Sequence, residues 1–179
     1  YKKAIDINQN YAEAHNNLGN VLIELEHLDD AVQAYRRALA INPDFPTFHN
    51  NLGNALRKNG ELNNAVKSYQ EALTLNNEYA DSHNNLGVAF FDLNQLEDAL
   101  GSYTKAIKIN PDYEDALNNL GVVQKKLSLY EKFFGKTDES VLKKGSYIPP
   151  DKNMIQVAQE ELTEYKNIVR NKNKLVEKY

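Results

Sequence analysis

The sequence has no cysteine, so a disulfide framework and a thiolate metal site are both excluded. It also lacks an excess of positive charge: 21 Lys and Arg stand against 25 Asp and Glu, a formal net charge of −4. A protein that grips phosphate backbones needs a concentrated basic surface, so nucleic acid is not the expected partner. No apolar run approaches the roughly 20 residues that a membrane-spanning helix requires. The P-loop, the dinucleotide fingerprint and the G-x-S-x-G elbow are missing too, and no catalytic residues are assigned. There is no signal peptide, but the chain begins at Tyr1 rather than Met, so silence about targeting carries no weight. Hydrophobic residues at 41% and charged residues at 26% are ordinary for a folded chain and too apolar for a disordered one.

What is present is repetition. His-Asn-Asn-Leu-Gly occurs at His15 to Gly19, His49 to Gly53 and His83 to Gly87, and Leu-Asn-Asn-Leu-Gly follows at Leu117 to Gly121, each copy 34 residues after the last. Ala31, Ala65 and Ala99 keep step, as do Tyr35, Tyr69 and Tyr103, and then Ala38, Ala72 and Ala106. In each unit one apolar stripe at helical spacing (Leu18, Leu22, Leu25 in the first) predicts a first helix. A second stripe (Ala31, Tyr35, Ala38, Leu39) predicts another. Turns such as Glu26-His27 and Asn59-Gly60 are only long enough to reverse direction into an antiparallel pair. Asn-Pro-Asp at 42–44 and 110–112 stops the second helix, with Asn77 standing where a Pro would be.

Gly19, Gly53, Gly87 and Gly121 fall inside predicted helices, where Gly costs about 1 kcal/mol relative to Ala. A cost repeated in phase implies close contact between paired helices, expected here with Ala31, Ala65 and Ala99 opposite. One helix pair cannot bury its apolar face alone, so neighbouring pairs stack on a continuous core.

A 34-residue unit with Leu-Gly early, Ala and an aromatic later, Ala again and then Pro resembles the tetratricopeptide repeat. The resemblance covers residues 1 to about 126. It implies an all-α, right-handed superhelical solenoid of antiparallel helix pairs. The units read as 1–11, the tail of a truncated repeat, then 12–45, 46–79 and 80–113, then a degenerate fourth at 114–147. Phe133-Phe134-Gly135 breaks the fourth where Ala is expected, so its second helix is altered, shifted or shortened. Thr137-Asp138-Glu139 resembles a helix start and Gly145 a stop, and Pro149-Pro150 marks a bend. An extra helix is expected over 150–179, on the seam Ile155, Ala158, Leu162, Tyr165, Val169, Val176 and Tyr179. Its expected role is to cap the array, with pairing to another chain or leading into a further domain as the alternative.

The recurring His15, His49 and His83 invite a metal hypothesis, but a metal needs ligands converging at about 2.0–2.1 Å. Equivalent positions on neighbouring helices lie roughly 8–10 Å apart between axes. These histidines are read as packing residues, His27 as solvated in a turn, and neither a metal nor a cofactor is assigned. Asp29-Asp30 and Glu97-Asp98 complement the macrodipole at the start of second helices.

The paired asparagines are harder to explain by packing alone. Asn16-Asn17, Asn50-Asn51, Asn84-Asn85 and Asn118-Asn119 recur in every first helix, with Asn20 and Asn54 close behind. Asn is a mediocre helix former, yet its amide donates and accepts at once, which suits an extended peptide backbone. The competing reading is that one Asn of each pair bonds a neighbouring helix within the solenoid. The family resemblance implies that first helices line a concave groove and that Asn17, Asn51, Asn85 and Asn119 face it. Such a row resembles the repeats of O-linked N-acetylglucosamine transferases, which hold substrate polypeptides, and those of bacterial scaffolds. The Lys and Arg by which related co-chaperones hold acidic chaperone tails are replaced here by Asn16, Asn50, Asn84 and Asn118, and by Asn20, Asn54, Val88 and Val122. Glu24, Arg57, Lys58 and Asp92 are expected at the groove rim, where alternating sign predicts a patterned ligand.

The expected function is a non-catalytic scaffold that binds an extended peptide or protein segment. Two other readings stand beside it: the substrate-recognition arm of a larger enzyme such as a glycosyltransferase, and a self-assembly module acting through the C-terminal helix or the array ends.

Overall fold

The computed structural model describes residues 11–134, and every regular element among them is a helix. First helices run over Ala12–Glu24 (α1), Pro46–Lys58 (α3) and Ala80–Asp92 (α5), and second helices over Leu28–Ile41 (α2), Leu62–Leu75 (α4) and Leu96–Ile109 (α6). A longer helix, α7, spans Glu114–Phe134. The architecture is an all-α repeat solenoid. The expectations for residues 1–10, for 135–147 and for the helix over 150–179 lie outside the described residues.

Each first helix ends by the same device. Glu26, Gly60 and Asn94 have φ of 61°, 82° and 59°, the left-handed region, and they sit 34 residues apart. Their N–H groups bond Ile23, Arg57 and Phe91, and the next N–H in each case reaches Leu22, Leu56 or Phe90 at 2.8–2.9 Å. This paired closure satisfies carbonyls that the helix end would orphan, and it turns the chain straight into the second helix. In the fourth unit the corresponding residue, Ser128, lies within α7, so the helix runs on where its predecessors turn.

Second helices stop at Ile41, Leu75 and Ile109 whether or not a proline follows. After α4 and α6 the reason is a side chain. The Oδ1 of Asn76 accepts the N–H of Glu78 at 3.1 Å, and that of Asn110 accepts the N–H of Asp112 at 3.3 Å. Such a turn diverts the backbone from helix, so α4 ends on schedule with Asn77 in place of Pro. Pro46 opens α3 at its first position, where its missing N–H costs nothing.

The chain divides into two compact units, Tyr1–Ala116 and Leu117–Tyr179. In the first, Ala31, Val32, Tyr35, Leu52, Ala55, Leu56, Ala65, Tyr69, Leu86 and Ala89 form one buried core running through successive helix pairs. Consecutive helices pack on one another, and each first helix also touches the next first helix, α1 on α3 and α3 on α5. In the second unit the described part of α7 buries Val123 and Leu129.

The helical glycines do mark close approach, but the residue opposite is different from the one expected. A Cβ on Gly19, Gly53 or Gly87 would meet the ring of Tyr35, Tyr69 or Tyr103 at 2.5–2.7 Å. Ala31, Ala65 and Ala99 are wholly inaccessible, but the atoms nearest the glycines are those of the tyrosine rings. A flat aromatic ring needs a residue without a side chain beneath it, which is why Gly and Tyr recur together.

Candidate functional site

The two asparagines of each pair hold different positions on the first helices. Asn16, Asn50 and Asn84 are buried, at 5–7% exposure, whereas Asn17, Asn51 and Asn85 are half-buried. A buried amide has to be hydrogen-bonded. The Nδ2 of Asn51 donates to the Oδ1 of Asn16 at 2.9 Å, and that of Asn85 donates to the Oδ1 of Asn50 at 3.1 Å. Each bond therefore runs from the outer Asn of one repeat to the inner Asn of the repeat before it. The hydroxyl of Ser82 adds a second bond to Asn50, at 2.9 Å. Asn16 in turn donates to Asn17 at 3.4 Å.

This arrangement fixes the amide planes. An Asn amide has two N–H donors and an oxygen with two lone pairs. Asn51 and Asn85 each use one N–H on the neighbouring helix, and among the described residues their carbonyl oxygens accept nothing. Asn118 and Asn119 hold the same sequence register on α7, in the second unit, where both are half-buried.

Asn20 and Asn54 face the second helix of their own repeat. They accept the hydroxyl protons of Tyr35 and Tyr69 at 2.7 and 2.8 Å. Burial pushes both phenols up to about 12. Val88 replaces the amide in the third repeat, and there burial again raises Tyr103, helped by the negative charge of Asp92.

At the ends of the first helices, Arg57 Nη1 lies 3.3 Å from Asp92 Oδ2, an ion pair that joins consecutive repeats. Arg57 also lowers the pKa of Tyr69, by its charge and by a hydrogen bond. Glu24 and Lys58 are exposed.

His49 and His83 act as local clasps. The Nε2–H of His49 donates to the carbonyl of Pro43 at 2.7 Å, and that of His83 to Asn77 at 3.0 Å. Burial lowers the pKa of His83, and Lys105 lowers it further. No group of three His, Cys, Asp or Glu among the described residues is placed to hold a metal ion. No described helix is long and apolar enough to cross a membrane.

The tyrosines were legible as repeat marks, but their hydroxyl partners were not. Tyr79 and Tyr113, ahead of the first helices, were not singled out from the sequence; they hydrogen-bond Thr47 and Asp81 at the start of the preceding first helix. The one sequence signal for them is the 34-residue spacing of Tyr11, Phe45, Tyr79 and Tyr113.

Comparison with known proteins agrees with this geometry. The model described as TPR repeat matches residues 19–60, 53–93 and 88–128, and that described as Tetratricopeptide repeat matches 1–33. Among curated proteins, no relative matches the chain. Similar solved structures include MamA, at 21% identity and TM-score 0.67, covering 100% of this chain and 88% of that one. The first TPR of Spaghetti (RPAP3), bound to the HSP90 peptide SRMEEVD, is 24% identical with TM-score 0.64, over 65% of this chain and 93% of that one. The second TPR domain of human RPAP3, in complex with the HSP70 peptide SGPTIEEVD, is 20% identical with TM-score 0.61, over 63% and 94%. At these identities the likeness is one of fold. The repeat matches span well over half of the sequence, and the chain belongs to the tetratricopeptide repeat family.

Proposed function

We propose that the chain is a protein-interaction scaffold that holds an extended peptide along its first helices. The observation that carries the reading is the row of outer asparagines. Asn51 and Asn85 are oriented by bonds to Asn16 and Asn50, and each keeps an acceptor oxygen and a donor for a ligand. An extended backbone offers matching N–H and C=O groups, and side-chain pockets beside it supply specificity. Because the amides are held by the scaffold, little ordering cost falls on binding. Asn17 belongs to the same row, and Asn119 shares its register in the sequence. Asn16 and Asn50 support the row from behind, Asn84 is buried at the same register on α5, and Asn20 and Asn54 tie the first helix to the second. The peptide-bound TPR domains of Spaghetti and human RPAP3 support peptide capture as a use of this fold.

The test is capture from lysate by the wild-type chain and by an Asn51→Ala, Asn85→Ala variant, with helicity followed by circular dichroism. Loss of specific partners at unchanged helicity is the expected result. The same set of partners on both chains, at equal helicity, removes the row from the binding site.

A further inference from the structure

The pair Arg57–Asp92 is unusual in where its acid sits. Asp92 is the last residue of α5, where the negative end of the helix dipole disfavours a carboxylate. Half-exposed ion pairs contribute little stability, so the fold has small reason to place it there. Its partner is the more telling residue. Among α1, α3 and α5, only α3 carries basic residues in its last turn, Arg57 and Lys58. Arg57 is held in place as well, between the Asp92 carboxylate at 3.3 Å and the hydroxyl of Tyr69, which itself donates to Asn54 at 2.8 Å. A guanidinium fixed by its neighbours is a ready carboxylate site, because its planar fork takes two oxygens at once.

We infer that Arg57 forms an anion subsite on the first-helix face, that Asp92 occupies it in the free chain, and that this acid sets the peptide class by turning acidic chains away. The inference rests on the proposed peptide-binding face and names a residue that sets its specificity. An incoming carboxylate has to displace Asp92 and then remain beside a like charge. A neutral peptide reaches the asparagine row without touching the pair. Selectivity built from a repulsive element needs no extra contact with the favoured ligand.

The experiment is fluorescence anisotropy with two labelled peptides, the acidic SRMEEVD and an amidated counterpart, SRMQQVN. Each is titrated with wild type, Asp92→Asn, Arg57→Gln/Asp92→Asn, Asn51→Ala/Asn85→Ala, and Asp44→Asn as an exposed acid that controls for net charge. Asp92→Asn is expected to bind SRMEEVD at least about five-fold more tightly than wild type, the scale of one exposed charge-assisted contact. The gain should vanish in the double variant, be absent from Asp44→Asn, and leave SRMQQVN within about two-fold. No gain in Asp92→Asn, no measurable SRMEEVD binding to it, or an equal gain in Asp44→Asn overturns the inference. If Asn51→Ala/Asn85→Ala weakens SRMQQVN while Asp92→Asn gains nothing, the subsite falls and the asparagine row stands. If the gain appears while the asparagine variant binds both peptides as wild type does, the subsite stands and the row falls.

Discussion

Gly53 lies against the ring of Tyr69 so closely that a Cβ there would stand 2.5 Å from Cε1. The same contact recurs between Gly19 and Tyr35 and between Gly87 and Tyr103, and it sets how near the two helices of a repeat can come.

Gly53→Ala tests that contact against helix propensity. Alanine is the better helix former by about 1 kcal/mol. Overpacking a filled core costs typically about 1–3 kcal/mol, and Tyr69 is fully buried with little room to move. The variant is expected to lose about 1–2 kcal/mol, read from the urea midpoint. In a Tyr69→Leu background the same change should become neutral or favourable. A single variant more stable than wild type would show that the ring yields.

The asparagine relay separates two isosteric changes. Asn51→Asp removes the donor to Asn16 and sets a carboxylate beside its carbonyl oxygen, so a loss of about 1–3 kcal/mol is expected. Asn17→Asp keeps the oxygen that accepts from Asn16 and should stay within about 0.5 kcal/mol. Equal losses in the two denaturation curves would mean that the bond between repeats carries no special weight.

His83 gives the fold a pH dependence of definite sign. Its pKa is lowered from 6.5 in the folded chain, chiefly by burial, so the neutral ring is the form that the fold favours. The stability that this confers is complete above the ordinary value and is lost as pH falls below about 6.5 toward the lower folded value. His83→Gln, which still offers a donor to Asn77, is expected to flatten the fall in urea midpoint between about pH 7 and 5. An identical slope in both chains would place the dependence on other groups.

At the alkaline end the sign reverses. Burial raises Tyr69 from 10.0 to about 12, so the protonated phenol is favoured by folding. Its contribution is full below the ordinary value and is lost as pH rises through the folded one. Tyr69→Phe should remove one late phenolate from an absorbance titration and cost about 0.5–1.5 kcal/mol for the lost bond to Asn54. A titration curve unchanged by the substitution would contradict the buried hydroxyl.

Repeat period, helix order and the helix stops of the first three units were legible in the chain, because they depend on residues within a few positions of one another, whereas the run of α7 past Ser128 was not. The alternation of Leu18, Leu22 and Leu25 with Ala31, Tyr35 and Ala38 already implies two helices and a reversal. The glycines were legible as points of close approach, but their partner was not. Gly53 and Tyr69 are 16 residues apart, and the sequence alone does not say whether Ala65 or Tyr69 turns toward the glycine.

By itself the sequence determined an all-α repeat array and placed an amide pair on every first helix. Tertiary structure decided what each amide does. Asn16 and Asn51 are the same kind of residue one register apart, and only stacking α3 on α1 makes one a buried acceptor and the other its donor. Stacking α5 on α3 likewise brings Asp92 to Arg57 across 35 residues of chain. Local pattern fixes which face of a helix a residue occupies. What lies across from that face depends on the packing of distant segments, and the hydrogen-bond partner follows from that.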